Sequence, residues 1–180
     1  METKIKGSTI FQGSIFKVES HTVRLNNGKE TIRDFVVFPE AVAIVPITTD
    51  GRIVLVNQYR YAVSRNLLEL PAGKNENCEN ILECAKRELE EETSYASLNW
   101  EKSSAFYSTP GFSTEFMTLF FAHDVYKLEN PQAGDDDENI EVELLTLEEC
   151  FEYIREGRLI DGKSILGLLA YKHKIGNKII

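Results

Sequence analysis

Cysteine is scarce, positive charge falls short of negative, and long apolar runs are missing. The three cysteines, Cys78, Cys84 and Cys150, have neither zinc-site spacing nor the paired count of a disulfide framework. They read as reduced thiols of a cytosolic protein. Twenty lysines and arginines stand against 29 aspartates and glutamates, a formal net charge of −9. That excludes the broad basic face nucleic-acid binding needs, while a small phosphorylated ligand bridged by metal ions stays compatible. No run approaches the roughly 20 apolar residues of a membrane span. The opening METKIKGSTIF has no apolar stretch long enough for a signal peptide, so the expected location is the cytoplasm. Repeats and low-complexity linkers are absent too.

What is present suits one domain with a sizeable core and a small appendage, at 180 residues and 42% hydrophobic content. In the first forty residues, SIFKVESHTVRL and TIRDFVVF alternate apolar with polar. Asn27-Gly28 lies between them as a hairpin signal. Residues 1–40 are therefore expected as an antiparallel unit, too small to be stable alone, that packs on something else, such as a second subunit. AVAIVPI (41–47) is almost continuously apolar, the mark of a strand buried on both faces. RIVLVNQYR (52–60) follows as a second strand, and LLEL (67–70) ends in a sharp loop at Pro71-Ala72-Gly73. The pattern then predicts a helix from Asn80 to Glu92 with Asn77 as a cap, and strands at 104–109, 115–125 and 140–147. Helices are expected at 147–157 and 163–175, with an acidic loop at 134–141. Strands flanked by helices make the class α/β or α+β, with residues 41–180 as the main domain.

The segment CAKRELEEETSY puts carboxylates at four of the five positions from Glu88 to Glu92, close to the negative end of the helix dipole. At about 100° per residue, Glu88 and Glu92 share a face with Glu91 close beside them. Glu88 falls among Ile81, Cys84 and Ala85 on the edge of the buried stripe. Glu79, Glu83 and Glu90 lie on the opposite face, as in an ordinary amphipathic helix. A buried carboxylate needs a partner or takes up a proton. A basic side chain could serve, but carboxylates with few nearby cations are better answered by hard divalent ions. All-oxygen ligation suits Mg²⁺ or Mn²⁺ and disfavours zinc, so the residues point to metal-dependent phosphate chemistry.

Gly73, Glu79, Arg87, Glu88, Leu89, Glu91, Glu92 and Tyr95 stand at the spacing of the Nudix box, Gly-x5-Glu-x7-Arg-Glu-apolar-x-Glu-Glu-x-Gly-apolar. The chain therefore resembles the Nudix hydrolases. NQYRYAVSRNLLELPAG, STPGFSTE and DDDENIEVELL, with Pro110 past the box, are similar to the ADP-ribose pyrophosphatase branch. Two positions depart: the last box glycine is Ser94, and the usual His-Pro-Gly is Phe38-Pro39-Glu40.

The resemblance implies an α/β/α sandwich with a mixed sheet, preceded by antiparallel strands that commonly exchange within a homodimer. It implies Mg²⁺, with Mn²⁺ as a substitute, held by the Ala72 carbonyl and the carboxylates of Glu88 and Glu92, with Glu91 alongside. Arg87 and Glu79 would shape the loop and helix. A carboxylate of the late acidic loop, Asp136 or Glu138, would join the metals or activate water. Arg60 and Arg33 match positions that contact the pyrophosphate or adjacent sugar, Arg60 often across the dimer. By position alone, both also read as surface or salt-bridging arginines. The three histidines have no metal spacing, and Tyr59 and Phe112 read as packing. The implied reaction is hydrolysis of ADP-ribose to AMP and ribose 5-phosphate. GDP-mannose or another nucleotide sugar is the alternative substrate, and a nucleotide-binding sensor the non-enzymatic one.

Overall fold

The computed structural model describes residues 1–75, 80–131 and 140–176. The chain divides into two units, Met1–Glu40 with Phe106–Met117, and Ala41–Ala105 with Thr118–Ile180.

In the first unit, β1 (Thr3–Gln12), β2 (Lys17–Arg24) and β3 (Glu30–Val37) form an antiparallel sheet in chain order. The hairpin at Asn27-Gly28 closes with a three-residue loop. The Leu25 amide donates to the Lys29 carbonyl at 2.8 Å, and the Gly28 amide to the Leu25 carbonyl at 2.9 Å. Gly28 takes the left-handed φ of 80° that ends such a loop and costs glycine nothing. The edge strand β1 is exposed throughout. Its register against β2 slips between Lys4 and Lys6 and between Thr9 and Phe11, the signature of bulges. Opposite Gly7 lies the His21 ring, so close that a side chain there would overlap it. That ring meets Phe35 edge-on at 4.9 Å. A second segment joins this sheet, because the Val36 amide donates to Phe112 (2.8 Å) and the Thr114 amide to Val36 (2.9 Å). Ile5, Ile10, Phe11 and Ile32 are exposed.

The second unit is built around β4 (Ala41–Thr48), whose eight residues are all buried, as its unbroken apolar run predicts. Next to it lies β5 (Ile53–Arg60), which also pairs antiparallel with β6 (Arg65–Glu69). Further along come β7 (Ala72–Lys74), α1 (Ile81–Thr93), β8 (Tyr95–Ala96), β9 (Asn99–Tyr107), β10 (Phe116–Lys127) and β11 (Ile140–Leu145). After β11 come α2 (Leu147–Arg155) and α3 (Gly162–Gly176). Among the described residues the sheet has eight strands, ordered β11-β5-β4-β10-β8, with β6 on β5, β7 on β4 and β9 on β10.

Alternation along the central strands sorts the helices to opposite faces. Val42, Ile44, Phe120 and Ala122 pack with Cys84, Ala85 and Leu89 of α1. On the other face, Gly167 of α3 lies so close to Leu70, Val45 and Leu119 that a Cβ there would crowd them. Phe121 meets Tyr171 of α3 at 5.5 Å. The result is a mixed α/β architecture, with α1 on one face of the central strands and α3 on the other. No helix among the described residues is long and apolar enough to cross a membrane.

Three local expectations change. Pro71-Ala72-Gly73 is not a free loop, because residues 72–74 pair with β4 in the register Ala43↔Ala72, Val42↔Gly73 and Ala41↔Lys74. The cap of α1 is Asn80, whose side chain accepts from the Leu82 amide at 2.9 Å; Asn77 lies outside the described residues. Strand β9 starts at Asn99, five residues before the expected 104, because its exposed polar residues hide the pattern that burial would print.

Ser94 ends α1 with φ 61° and ψ 24°, its amide donating to the Glu90 carbonyl. It occupies the left-handed position where glycine is free of Cβ strain. Replacing it with glycine (Ser94→Gly) is expected to stabilise the protein by about 1 kcal/mol, read as a higher urea midpoint with an unchanged slope.

Candidate active site

The site in the second unit starts from a steric fact. The Glu88 carboxylate lies against Gly73, and a Cβ built on Gly73 would overlap its carbon and both oxygens. Only glycine lets the β7 backbone and the α1 side chain come this close. One turn on, Glu92 is 8% exposed, and its Oε2 accepts from the Ala72 amide at 3.0 Å. The β4–β7 ladder uses the Pro71 carbonyl, which takes the Ile44 amide at 2.9 Å. Strand alternation therefore turns the backbone groups of Ala72 away from β4, toward the side where Glu92 sits.

The crowded carboxylates of α1 are partly answered from within. Arg87 donates from Nη1 to Glu91 (2.7 Å) and from Nη2 to the Lys74 carbonyl (3.2 Å). Its Nη2 is also 2.9 Å from Glu88 Oε1. Arg87 thus ties α1 to β7 and holds one edge of the Glu88 carboxylate. Among the described residues no three His, Cys, Asp or Glu side chains gather into a complete metal cage. The donor set present is two inward carboxylates, Glu88 and Glu92, beside backbone oxygen. A hard cation such as Mg²⁺, which keeps several waters and needs few protein ligands, fits that set.

Arg60, at the end of β5, forms a two-pronged pair with Glu69: Nε to Oε1 at 2.8 Å and Nη2 to Oε2 at 2.9 Å. Glu69 is 1% exposed. Its Oε2 is shared with Lys163, which also contacts Asp161 at 3.0 Å. Asp161 in turn accepts from the Ser164 amide at 3.0 Å, and Ser164 Oγ accepts from the Leu70 amide at 2.7 Å. Burial pushes the Glu69 carboxyl up, but Arg60 and Lys163 outweigh it and hold the group below the usual range. The Arg60 guanidinium is held above its usual value, first by the Glu69 hydrogen bond and further by the charges of Glu92 and Asp161. Arg60, Glu92 and the Ala72–Gly73 backbone therefore belong to one electrostatic neighbourhood.

Arg33 lies in the first unit, where it pairs with Glu2 at 2.6 Å and 3.1 Å. Glu79, Asp136 and Glu138 lie outside the described residues. Glu69 and Lys163 were not anticipated. Two faint signals mark them: a carboxylate between Leu68 and Leu70 in a core strand, and a lysine in the first turn of a helix, where the dipole disfavours it. Cys150 is fully buried, and burial pushes its thiol up to about 12, so it is no nucleophile.

The NUDIX domain model matches residues 37–165. The methanol dehydrogenase activator of Bacillus methanolicus is 38% identical over 96% of this chain and 97% of its own. The ADP-ribose pyrophosphatase of Bacillus subtilis is 37% identical over 91% and 88%. A solved ADP compounds hydrolase superposes with a TM-score of 0.88 at 22% identity, covering 99% of this chain and 96% of that one.

Replacing Gly73 (Gly73→Ala) is expected to displace Glu88 and cost about 1–3 kcal/mol, seen as a lower urea midpoint. Because its carboxyl is held below the ordinary 4.5, the stability Glu69 contributes is present above that pH and lost as the pH falls through its folded value. The stability gap between wild type and Glu69→Gln should therefore narrow below pH 4.5, measured by urea unfolding across that range.

Proposed function

The chain belongs to the NUDIX domain family and is a Nudix hydrolase, and from that premise we propose that it cleaves the pyrophosphate of ADP-ribose to AMP and ribose 5-phosphate. The observation that carries this reading is the approach of the Glu88 and Glu92 carboxylates to the Gly73 and Ala72 backbone. In the proposal, Glu88, Glu92 and the Ala72 carbonyl hold Mg²⁺, or Mn²⁺ in its place, with Glu91 alongside. When bound, such an ion neutralises phosphate charge and lowers the pKa of a bound water.

The chain's own groups supply the rest. Arg60 keeps Nη1 outside its pair with Glu69 and donates it to a phosphate oxygen as a charge-assisted clamp. Arg33 contacts the pyrophosphate or the adjacent sugar. Water attacks one phosphorus, the bridging P–O bond breaks, and the water's proton passes to Asp136 or Glu138 as general base. Arg87 keeps the orientation of Glu88 and Glu91 fixed as the substrate's charge arrives.

We propose further that the protein is a cytoplasmic homodimer. The exposed Ile5, Ile10, Phe11 and Ile32 of the first unit support a surface that a second copy would cover.

Incubation with ADP-ribose, GDP-mannose, ADP-glucose and NADH, with and without Mg²⁺, tests the reading. AMP is expected from ADP-ribose only with the metal, and Glu92→Gln should lower the rate by about a hundredfold or more. Faster cleavage of GDP-mannose would overturn the substrate and keep the chemistry. Binding of ADP-ribose without turnover of any compound would overturn the enzymatic reading.

A further inference from the structure

Glu69 stands out among the buried groups. It is a carboxylate in a core strand, between Leu68 and Leu70, with a side chain 2% exposed. Its two oxygens are committed to Arg60 in a planar fork, a geometry that fixes the plane and direction of a guanidinium. Arg60 itself is only partly covered, its side chain 39% exposed. The fork therefore fixes the plane of the guanidinium and leaves Nη1 outside the pair.

Lys163 explains how a buried carboxylate keeps that pose. Its ammonium contacts Glu69 Oε2 and Asp161 Oδ2, and its side chain is 13% exposed. Asp161 is anchored by the start of α3, accepting from the amide and hydroxyl of Ser164 at 3.0 Å and 2.5 Å. A cation in the first turn of a helix works against the dipole, so nothing in α3 alone favours lysine at this place. The gain lies in the ion pair with Glu69 of β6. Lys163 shares Glu69 Oε2 with Arg60, so Glu69 stays oriented without drawing wholly on Arg60. A continuous path runs from the α3 terminus through Asp161, Lys163 and Glu69 to the guanidinium.

We propose that Lys163 and Glu69 are positioning residues that set the direction of Arg60 toward the substrate's phosphates. The inference rests on Arg60 being a phosphate clamp, and it concerns residues that touch no substrate themselves. A guanidinium already held in place loses less freedom when phosphate binds, so the benefit falls on substrate affinity. Lys163 then acts only through Arg60.

A double-mutant cycle on Lys163→Met and Arg60→Ala tests this, with kcat and KM for ADP-ribose, affinity for inorganic pyrophosphate by calorimetry, and urea midpoints for all four proteins. Lys163→Met is expected to lower kcat/KM about tenfold, mainly through KM, and to cost nothing further once Arg60 is alanine. Lys163→Arg should restore most of the loss. An equal loss in both backgrounds would overturn the proposal, as would a lowered urea midpoint with kcat/KM unchanged. Should Lys163→Met not fold, Lys163→Gln, which keeps an N–H donor within reach of Glu69, carries the same cycle. Should the wild type not cleave ADP-ribose, the proposed function alone fails. The pyrophosphate affinities then decide, with a loss that vanishes in the Arg60→Ala background supporting the positioning role and an additive loss overturning it.

Discussion

The contact between the Glu88 carboxylate and the Gly73 backbone is the constraint on which the rest of the second unit's chemistry depends. It requires the chain after Pro71 to run as a strand beside β4, since a loose loop would not hold a backbone against a carboxylate. It also fixes the rotation of α1. With Glu88 turned to Gly73, Leu89, Cys84 and Ala85 turn into the core, and Glu92 meets the Ala72 amide one turn later. Helix packing and site assembly are thus one requirement, and a rotation of α1 would undo both.

Basic side chains answer several of the carboxylates from within the chain. Glu91 and one edge of Glu88 are answered by Arg87, and Glu69 by Arg60 and Lys163. These pairs set cations beside Glu69, Glu88 and Glu91 although the chain carries −9 overall. Glu92 takes the Ala72 amide at 3.0 Å, and its charge acts on Arg60, so it is tied to the β7 backbone and to the guanidinium alike.

Legibility from sequence follows the range of the interactions. β4 was readable because burial on both faces prints a continuous apolar run, and α1 because its apolar spacing and the box coincide. The departure from the family's glycine at Ser94 left the end of α1 open from sequence, and the chain takes the left-handed conformation there all the same. The misses share a cause. Residues 72–74 look like a turn until β4, some thirty residues earlier, is set beside them. Asn80 and Asn77 are chemically equal as caps, and only the helix's packing chooses between them. Arg60 and Arg33 each looked like a surface ion pair or a ligand group, and both do hold ion pairs, with Glu69 and Glu2. Lys163 and Glu69 are 94 residues apart. No local pattern announces that they meet.

The two register slips in β1 bear on how this protein behaves in a crowded solution. An outer strand with its hydrogen-bonding groups open is a template onto which further chains could add without limit, as in fibrils. Each slip bends the strand and breaks the even spacing of those groups, and Lys4 and Lys6 place positive charge along the same stretch. An incoming strand would find no more than a few residues of continuous ladder. Growth by strand addition is thereby discouraged, and the edge ends where the protein's own sheet ends.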